Sequence, residues 1–547
     1  MGAREWDFTP LSNADGAQQH QVDVLVLGGG PAGAWAAISA RARGATVLLA
    51  DKGYCGTSGA TAPSGTGVWY VSPDADARET AKASRYTMGG QLAEHTWMDR
   101  VLAQTWDNVH QLAEWGYPFP TDSEGLQRRT SLQGPEYMRL MRKQVKESGA
   151  RIIDHSPALE LLVNDAGIVC GASGVNRQTG KTWVARAGAV VIATGGCAFL
   201  SRALGCNVLT GDGLLMAAET GAELSGMEFS NAYGLAPAFS SVTKSLFYNW
   251  ATFYDADGTA IPGAGSSRGR SIIAKTLQTQ PVFGCLDKAD DQIKKWMRHA
   301  QPNFFLSFDR RGIDPFTQHF PMALRLEGTV RGTGGLRITN EQCATTVPGL
   351  YAAGDAATRE LICGAFTGGG SHNAAWALSS GFWAGAGAAE FGKQAGSATS
   401  KHILRAGSTG LHGTGNAAWD AEDVIRAVQA EVFPYERNWT RRQGLLEDSL
   451  SRLDGLWARL RAGAPAANAQ AAVRAREALA LLATSRWMYR SALARSETRG
   501  MARRSEHPGI DPTQHHRLVS GGLDEVWTRH ESVTPPPAER TPEGAHA

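Results

Sequence analysis

No CxxC pair occurs anywhere in these 547 residues. The seven cysteines (Cys55, Cys170, Cys197, Cys206, Cys285, Cys343 and Cys363) are scattered, so neither a zinc site nor a chain-borne iron–sulfur cluster is signalled, and reduced buried thiols are expected. No metal ligands are assigned. No apolar run approaches the about 18 residues needed to span a bilayer. The opening MGAREWDFTPLSNADGAQQH has neither an apolar segment nor a twin-arginine pair. It therefore does not read as a secretory signal, and a soluble, cytoplasmic protein without a membrane span is expected. Charged residues make up 19% and the net charge is +2, with no basic stripe, so nucleic acid is not an expected partner.

With 42% hydrophobic residues the chain reads as an ordinary globular protein, long enough for roughly three domains. Its strongest local pattern is VDVLVLGGGPAGAWAAISARARGATVLLADKG. Val22 to Leu27 suits a buried parallel strand, Gly28, Gly30 and Gly33 form GxGxxG, and Ala34 to Arg43 has helical composition. A second strand, Thr46 to Ala50, ends at Asp51, placed where an acid bonds an adenosine ribose. Strand, glycines, helix, second strand and acid together make a dinucleotide-binding βαβ unit.

Ala158 to Val184 reads as antiparallel ribbon, and AGAVVIATGG, Ala187 to Gly196, as a buried strand. VPGLYAAGDAA, Val347 to Ala357, repeats that form, so sequence on both sides of an insertion at about 232–335 completes the nucleotide fold. GSATSKHILRAGSTGLHGTGN reads as a linker. Helical stretches follow at Trp419 to Val432, Tyr435 to Ala462 and Ala467 to Thr498. The end, ESVTPPPAERTPEGAHA, reads as disordered.

GGGPAG, IATGG, TGDGLLMAAETGAEL, PGLYAAGDAA and ETRGMARRSEHP together resemble the flavoproteins of the succinate dehydrogenase/fumarate reductase superfamily, over about residues 20 to 510. That superfamily includes aspartate oxidase and the α subunit of adenylylsulfate reductase. The resemblance implies an α/β fold with a Rossmann-like FAD-binding domain (20–231 and 336–395), an inserted α+β capping domain (232–335), a helical domain (417–530) and a disordered tail (531–547). It implies bound FAD. Gly28, Gly30, Pro31, Ala32 and Gly33 would face the pyrophosphate at a helix N-terminus, and Asp51 and Lys52 the adenosine half. Ser58, Gly59, Ala60 and Gly65, in the small-residue run TSGATAPSGTG, would lie along the isoalloxazine, and Asp355 would take the ribityl or pyrophosphate region. Ala193, Thr194, Gly195, Asp212, Gly354 and Ser371 complete the expected FAD contacts. No second GxGxxG is present, so direct oxidation of NADH is not expected.

Three departures from the family carry meaning. Gly59 stands where respiratory members carry the histidine that bonds the flavin, so the FAD is expected to be non-covalent. The dicarboxylate clamp is replaced, with Tyr233, Val330 and Thr367 at the positions of its two histidines and its arginine. The proton-transfer arginine of the capping domain matches Arg268 in SSRGRSII, with Arg270 as the alternative. Asn231, Tyr233 and Arg270 are the expected substrate contacts, and Arg268, Arg331 and His372 the expected catalytic groups. GSH at His372, the SGATA run and VHQLAEWGYP resemble the adenylylsulfate reductase α subunit, which implies a small anionic substrate such as a sulfur oxyanion. The same resemblance implies a ferredoxin-like iron–sulfur partner. Two other readings stay open: a fumarate reductase, aspartate oxidase or ene-reductase relative with an altered substrate and Arg268 as proton donor, and an electron-transfer or assembly subunit with a vestigial pocket.

Overall fold

The computed structural model describes residues 9–11, 16–121, 124–243, 245–265, 269–367, 370–395, 402–407, 409–411, 419–461, 463 and 468–533. Its centre is a sheet of nine described strands. Gln18–Leu27 lies between Val47–Ala50 and Thr182–Ile192, all parallel, and Arg151–Ile153 extends the edge beyond Val47–Ala50. Over Val24 to Leu27, Val47 to Ala50 and Ala187 to Ile192 these strands are apolar or glycine and buried on both faces, as a helix-covered parallel sheet requires.

Thr182–Ile192 is one continuous strand, although the sequence suggests two. Its first half pairs antiparallel with Val169–Val175, and its second half pairs parallel with Leu350–Ala352. The chain thus leaves the nucleotide fold and returns to it along a single strand, which sets the insertion at one end of the sheet.

The helix Pro31–Ala42 packs against the long helix Ser371–Ala395 at backbone distance. A Cβ on Gly381 would lie 2.3 Å from the Ala32 carbonyl oxygen, and one on Gly385 would lie 2.1 Å from that of Ala36. This close approach seats the middle of the long helix, around Gly381, beside the glycine loop and the start of Pro31–Ala42.

Between 232 and 335 a second sheet forms in the order Ala232–Pro237, Phe320–Glu327, Phe283–Cys285, Thr252–Tyr254. The short helix Arg270–Thr276 and two further helices accompany it.

Several boundaries differ from the sequence reading. The linker segment contains a strand, Ile403–Arg405, which pairs with Ala158–Asn164 in the main sheet. Thr9–Pro10 pairs on its other side, so this strand lies just inside the sheet edge. The helix expected over Tyr435 to Ala462 is broken into Tyr435–Asn438 and Gln443–Leu460, because Arg441 turns inward and its backbone bonds to Arg503 and Ser505. The region expected to be helical also ends in a hairpin, His516–Gly521 with Trp527–Ser532, added to Leu224–Ser225. Ser532 belongs to that hairpin, so ordered strand runs into the segment expected to be a tail, and residues 534–547 lie outside the described residues. Among the described residues no helix is long and apolar enough to cross a membrane.

Candidate active site

The nucleotide end is made of backbone. Gly28 has φ +106°, and a Cβ there would lie 2.3 Å from the Ala193 carbonyl oxygen. A Cβ on Gly33 would lie 1.8 Å from the Gly28 carbonyl oxygen, whereas Gly30 faces open space. The helix Pro31–Ala42 has no side-chain N-cap and carries proline in its first turn, so its leading N–H groups remain available to an anion. An uncapped helix start beside an open glycine is what a pyrophosphate requires.

Asp51 is 5% exposed and accepts hydrogen bonds from Gly29 N at 2.5 Å, Gly53 N at 2.7 Å and Ser58 Oγ at 2.8 Å. A carboxylate has about four lone-pair positions, which leaves one for a ribose hydroxyl. Lys52 sits elsewhere. Its ammonium is held by Thr210 Oγ1 at 2.8 Å, Asp212 Oδ2 at 2.6 Å and Glu477 Oε1 at 2.6 Å, which uses all three of its donors. Burial lowers its proton affinity, but the two carboxylates outweigh this and raise it. Lys52 and Asp212, both expected at the cofactor, therefore pin the nucleotide fold to the helix Ala469–Ala494.

The small-residue run is held from both sides. A Cβ on Gly134 would lie 1.9 Å from the Thr61 carbonyl oxygen, and one on Gly205 2.5 Å from that of Gly59. Gly59 itself has φ +88° and nothing within 4 Å of a Cβ position. Gly65–Gly67 pairs with Ser131–Gln133 and runs beside the N-terminus of the long helix, where Trp69 N donates to the Ser371 carbonyl at 3.1 Å. His372 lies on Trp69, ring centroids 4.4 Å apart, with Nδ1 3.2 Å from Ser371 Oγ. Asn373 Nδ2 reaches the Val330 carbonyl at 3.4 Å. The run, the helix N-terminus and the Val330 turn thus border one space. Ala60 adjoins it in the same run, and Ala193, Thr194 and Gly195 follow the long central strand, with Thr194 Oγ1 buried and lacking a partner.

Next to Val330 in that turn begins a group of three charges. Glu327, fully buried at the end of its strand, accepts from Thr243 Oγ1 at 2.7 Å and from Arg331 Nη1 at 3.1 Å. Arg270 opens the helix Arg270–Thr276, and its Nε is shielded from solvent. Burial, and then the nearby Arg331, bring its guanidinium down to about 10, while Glu327 and Tyr248 oppose the fall. A cationic side chain whose proton affinity is lowered in this way is a better acid than an exposed arginine. Arg268 lies outside the described residues.

The acid after Leu350–Ala352 has an unforeseen partner. Asp355 accepts from Arg359 Nη1, and the fully buried Arg359 also donates Nη2 to the carbonyls of Thr329 at 2.9 Å, Val330 at 3.1 Å and Gly332. Gly354 N donates to Ser380 Oγ at 3.0 Å. One arginine thereby fixes the Val330 turn to the acid expected at the flavin. Arg359 belongs to no motif, although its charge within the stretch AATRELIC was a usable signal. Glu327 also broke a pattern, as a buried acid ending the alternating strand FPMALRLE.

Asn231 and Tyr233, expected at the substrate, face the C-terminal helices. Asn231 Nδ2 donates to the carbonyls of Asn438 at 2.8 Å and Met501 at 3.1 Å. Tyr233 Oη donates to the Val432 carbonyl at 3.1 Å, and its ring packs on Tyr435 and Trp439. Position along the strand could not reveal which face the helices would cover.

Residues 23–233 match the family described as FAD binding domain. An L-aspartate oxidase of Streptomyces coelicolor is 27% identical over 94% of this chain and 94% of its own length. One component of the CoM/CoB fumarate reductase of Methanothermobacter marburgensis is 24% identical over 91% of this chain and 96% of its own length. The chain is an FAD-dependent oxidoreductase. Among solved structures, a mutant of E. coli quinol fumarate reductase superposes with TM-score 0.80 at 20% identity, covering 96% of this chain and 99% of that one. The adenylylsulfate reductase of Archaeoglobus fulgidus superposes with TM-score 0.75 at 18% identity, covering 98% and 99%. Both likenesses establish the shared fold. The glycine cradle, the uncapped helix and the free lone pair on Asp51 all fit FAD in this flavoprotein.

Proposed function

We propose that this flavoprotein carries out two-electron redox of a small anionic substrate, with a proton moved by Arg270 in place of Arg268. The observation that carries this reading is the buried Glu327, which holds Arg331 beside Arg270 on the wall of the candidate site. Burying such a group is costly unless it is paired, so its presence there calls for a reason. Bound FAD would supply hydride exchange at N5. Arg331, fixed by Glu327, would orient an anionic group of the substrate. Arg270, with its lowered proton affinity, would give or take the proton, and the region 232–335 would exclude water as a cap. Loss of the dicarboxylate clamp sets the substrate apart from succinate and fumarate, and the two full-length relatives support an altered member of that reaction class. We place the protein in the cytoplasm, with non-covalent FAD, exchanging electrons with a ferredoxin-like iron–sulfur protein.

A second reading, reversible redox of a sulfur oxyanion, is favoured by His372 seated on Trp69 at the positive end of the long helix. Spectral titration separates the two. Bleaching of the flavin band by millimolar sulfite supports the second reading and its absence removes it, while small unsaturated carboxylates should perturb the band if the first holds.

A further inference from the structure

Away from Arg270 lies a second group of ionisable side chains, deeper in the molecule. Glu228, on the single turn Met227–Phe229, and Glu360 are both fully buried. Ser225 Oγ donates to Glu360 Oε2, and Arg495 Nε donates to Glu228 Oε1 at 2.9 Å. The other oxygen of each carboxyl, Glu360 Oε1 and Glu228 Oε2, is shielded from solvent with no hydrogen-bond partner. Two buried carboxylates with an unmet oxygen apiece are unfavourable, whereas a carboxyl that keeps its proton becomes a donor. Burial and then the Glu228 charge raise the proton affinity of Glu360 well above the usual carboxylate range, against the pull of Arg517 and Arg495. Burial likewise raises Glu228, against Arg495 and Arg441. The remaining charges are paired with one another: Arg495 and Arg499 with Glu497, and Arg517 with Glu94. Positive charge is what would expel the proton, and Arg495 and Arg517 each share a carboxylate that blunts that pull.

The pair stands between two regions. Outside is a cleft of about 390 Å³ whose lining includes Ser225, Thr358, Arg517, Glu94, Arg337 and Trp97. Inside is the turn that carries Val330 and Arg331. A Cβ on Gly226 would lie 2.6 Å from Glu360 Cδ, and one on Gly334 would lie 2.7 Å from the Gly226 carbonyl oxygen and 2.4 Å from Ser230 Oγ. Ser230 Oγ and Thr333 Oγ1 are themselves buried without partners. Such a succession of unmet hydroxyls suits internal water.

We propose that Glu228 and Glu360 share one proton and pass it between the cleft and the Val330–Gly335 turn, which makes them the proton supply of the candidate active site. One proton leaves on the inner side as one arrives from cleft water, and no electron moves. The direction of use rests on the reading that the reaction moves a proton, but the shared proton does not.

Infrared spectra of the FAD-loaded protein, recorded from neutral to alkaline pH in H₂O and D₂O, test this without a substrate. A carboxylic-acid C=O band is expected that shifts in D₂O, is lost as pH rises, disappears in Glu360→Gln, and changes when dithionite reduces the flavin. Ser225→Ala keeps both carboxyls and should move the band, so the test survives if Glu360→Gln does not fold. A spectrum without a titrating band, or a band unchanged in both variants, overturns the shared proton. A band insensitive to flavin reduction overturns the inward transfer. Neither result touches the role of Arg270, which Arg270→Ala addresses separately.

Discussion

The two ends of the candidate FAD site are built from different materials. The nucleotide end is backbone: Gly28 and Gly33, which admit no Cβ, the open Gly30, an uncapped helix start and one acid at the end of a strand. The reacting end is side chain: Arg270 comes together with Glu327 and Arg331, and His372, from a third part of the chain, adjoins their turn through Asn373, which reaches Val330. Backbone sites tolerate no added atom, whereas side-chain sites tolerate change in volume but not in charge.

The largest effect should come from the backbone end. Gly33→Ala puts a methyl 1.8 Å from the Gly28 carbonyl oxygen, so the loop must open. We expect no retained flavin and a stability loss of about 3 kcal/mol, read from the 450-nm-region absorbance of the purified protein and from its thermal midpoint. Wild-type flavin content in that variant would break the comparison.

At the reacting end, Glu327→Gln keeps the shape and removes the charge. Glu327 opposes the fall in Arg270's proton affinity, so without it Arg270 should deprotonate at lower pH. If protonated Arg270 is the acid, wild-type turnover declines as pH approaches about 10. The variant's decline should begin at lower pH with flavin content unchanged. A pH–rate profile that superposes on the wild type would remove Glu327 from the mechanism.

The smallest effect should come from Tyr233→Phe. Its hydroxyl bonds the Val432 carbonyl in the interface with the C-terminal helices, so the variant should lose about 1 kcal/mol of stability in denaturant titration and keep its turnover. A loss of turnover without a loss of stability would return Tyr233 to the substrate.

What the sequence made legible follows the same division. The βαβ unit, the ribbon at 158–184 and the return strand at 350–352 could be read because hydrophobic period and glycine spacing are local properties. Local reading also singled out Gly59, whose Cβ position the structure leaves open. It expected Tyr233, Asn231, Lys52 and Asp212 at the ligand because, although it read the C-terminal helices, nothing local says which side chains those helices and their neighbours engage. Arg359 and Glu327 escaped it for the converse reason. Each is a buried charge with one ion-pair partner four residues away, but the contacts that tie it to other parts of the fold lie 27 to 30 and 84 residues away, and in sequence it shows only as a charge in an apolar stretch.

The central claim, that Arg270 moves the proton while Arg331 holds the anion, is tested most directly by Arg270→Ala in its FAD-loaded, dithionite-reduced form. It would be mixed anaerobically with a panel of small unsaturated carboxylates while flavin reoxidation is followed by stopped-flow absorbance. The account predicts that at least one acid reoxidises the wild type and that the variant, with full flavin content, is slower by about 10²- to 10⁴-fold. Equal rates in the two proteins, or no reoxidation of the wild type by any acid in the panel, would contradict it.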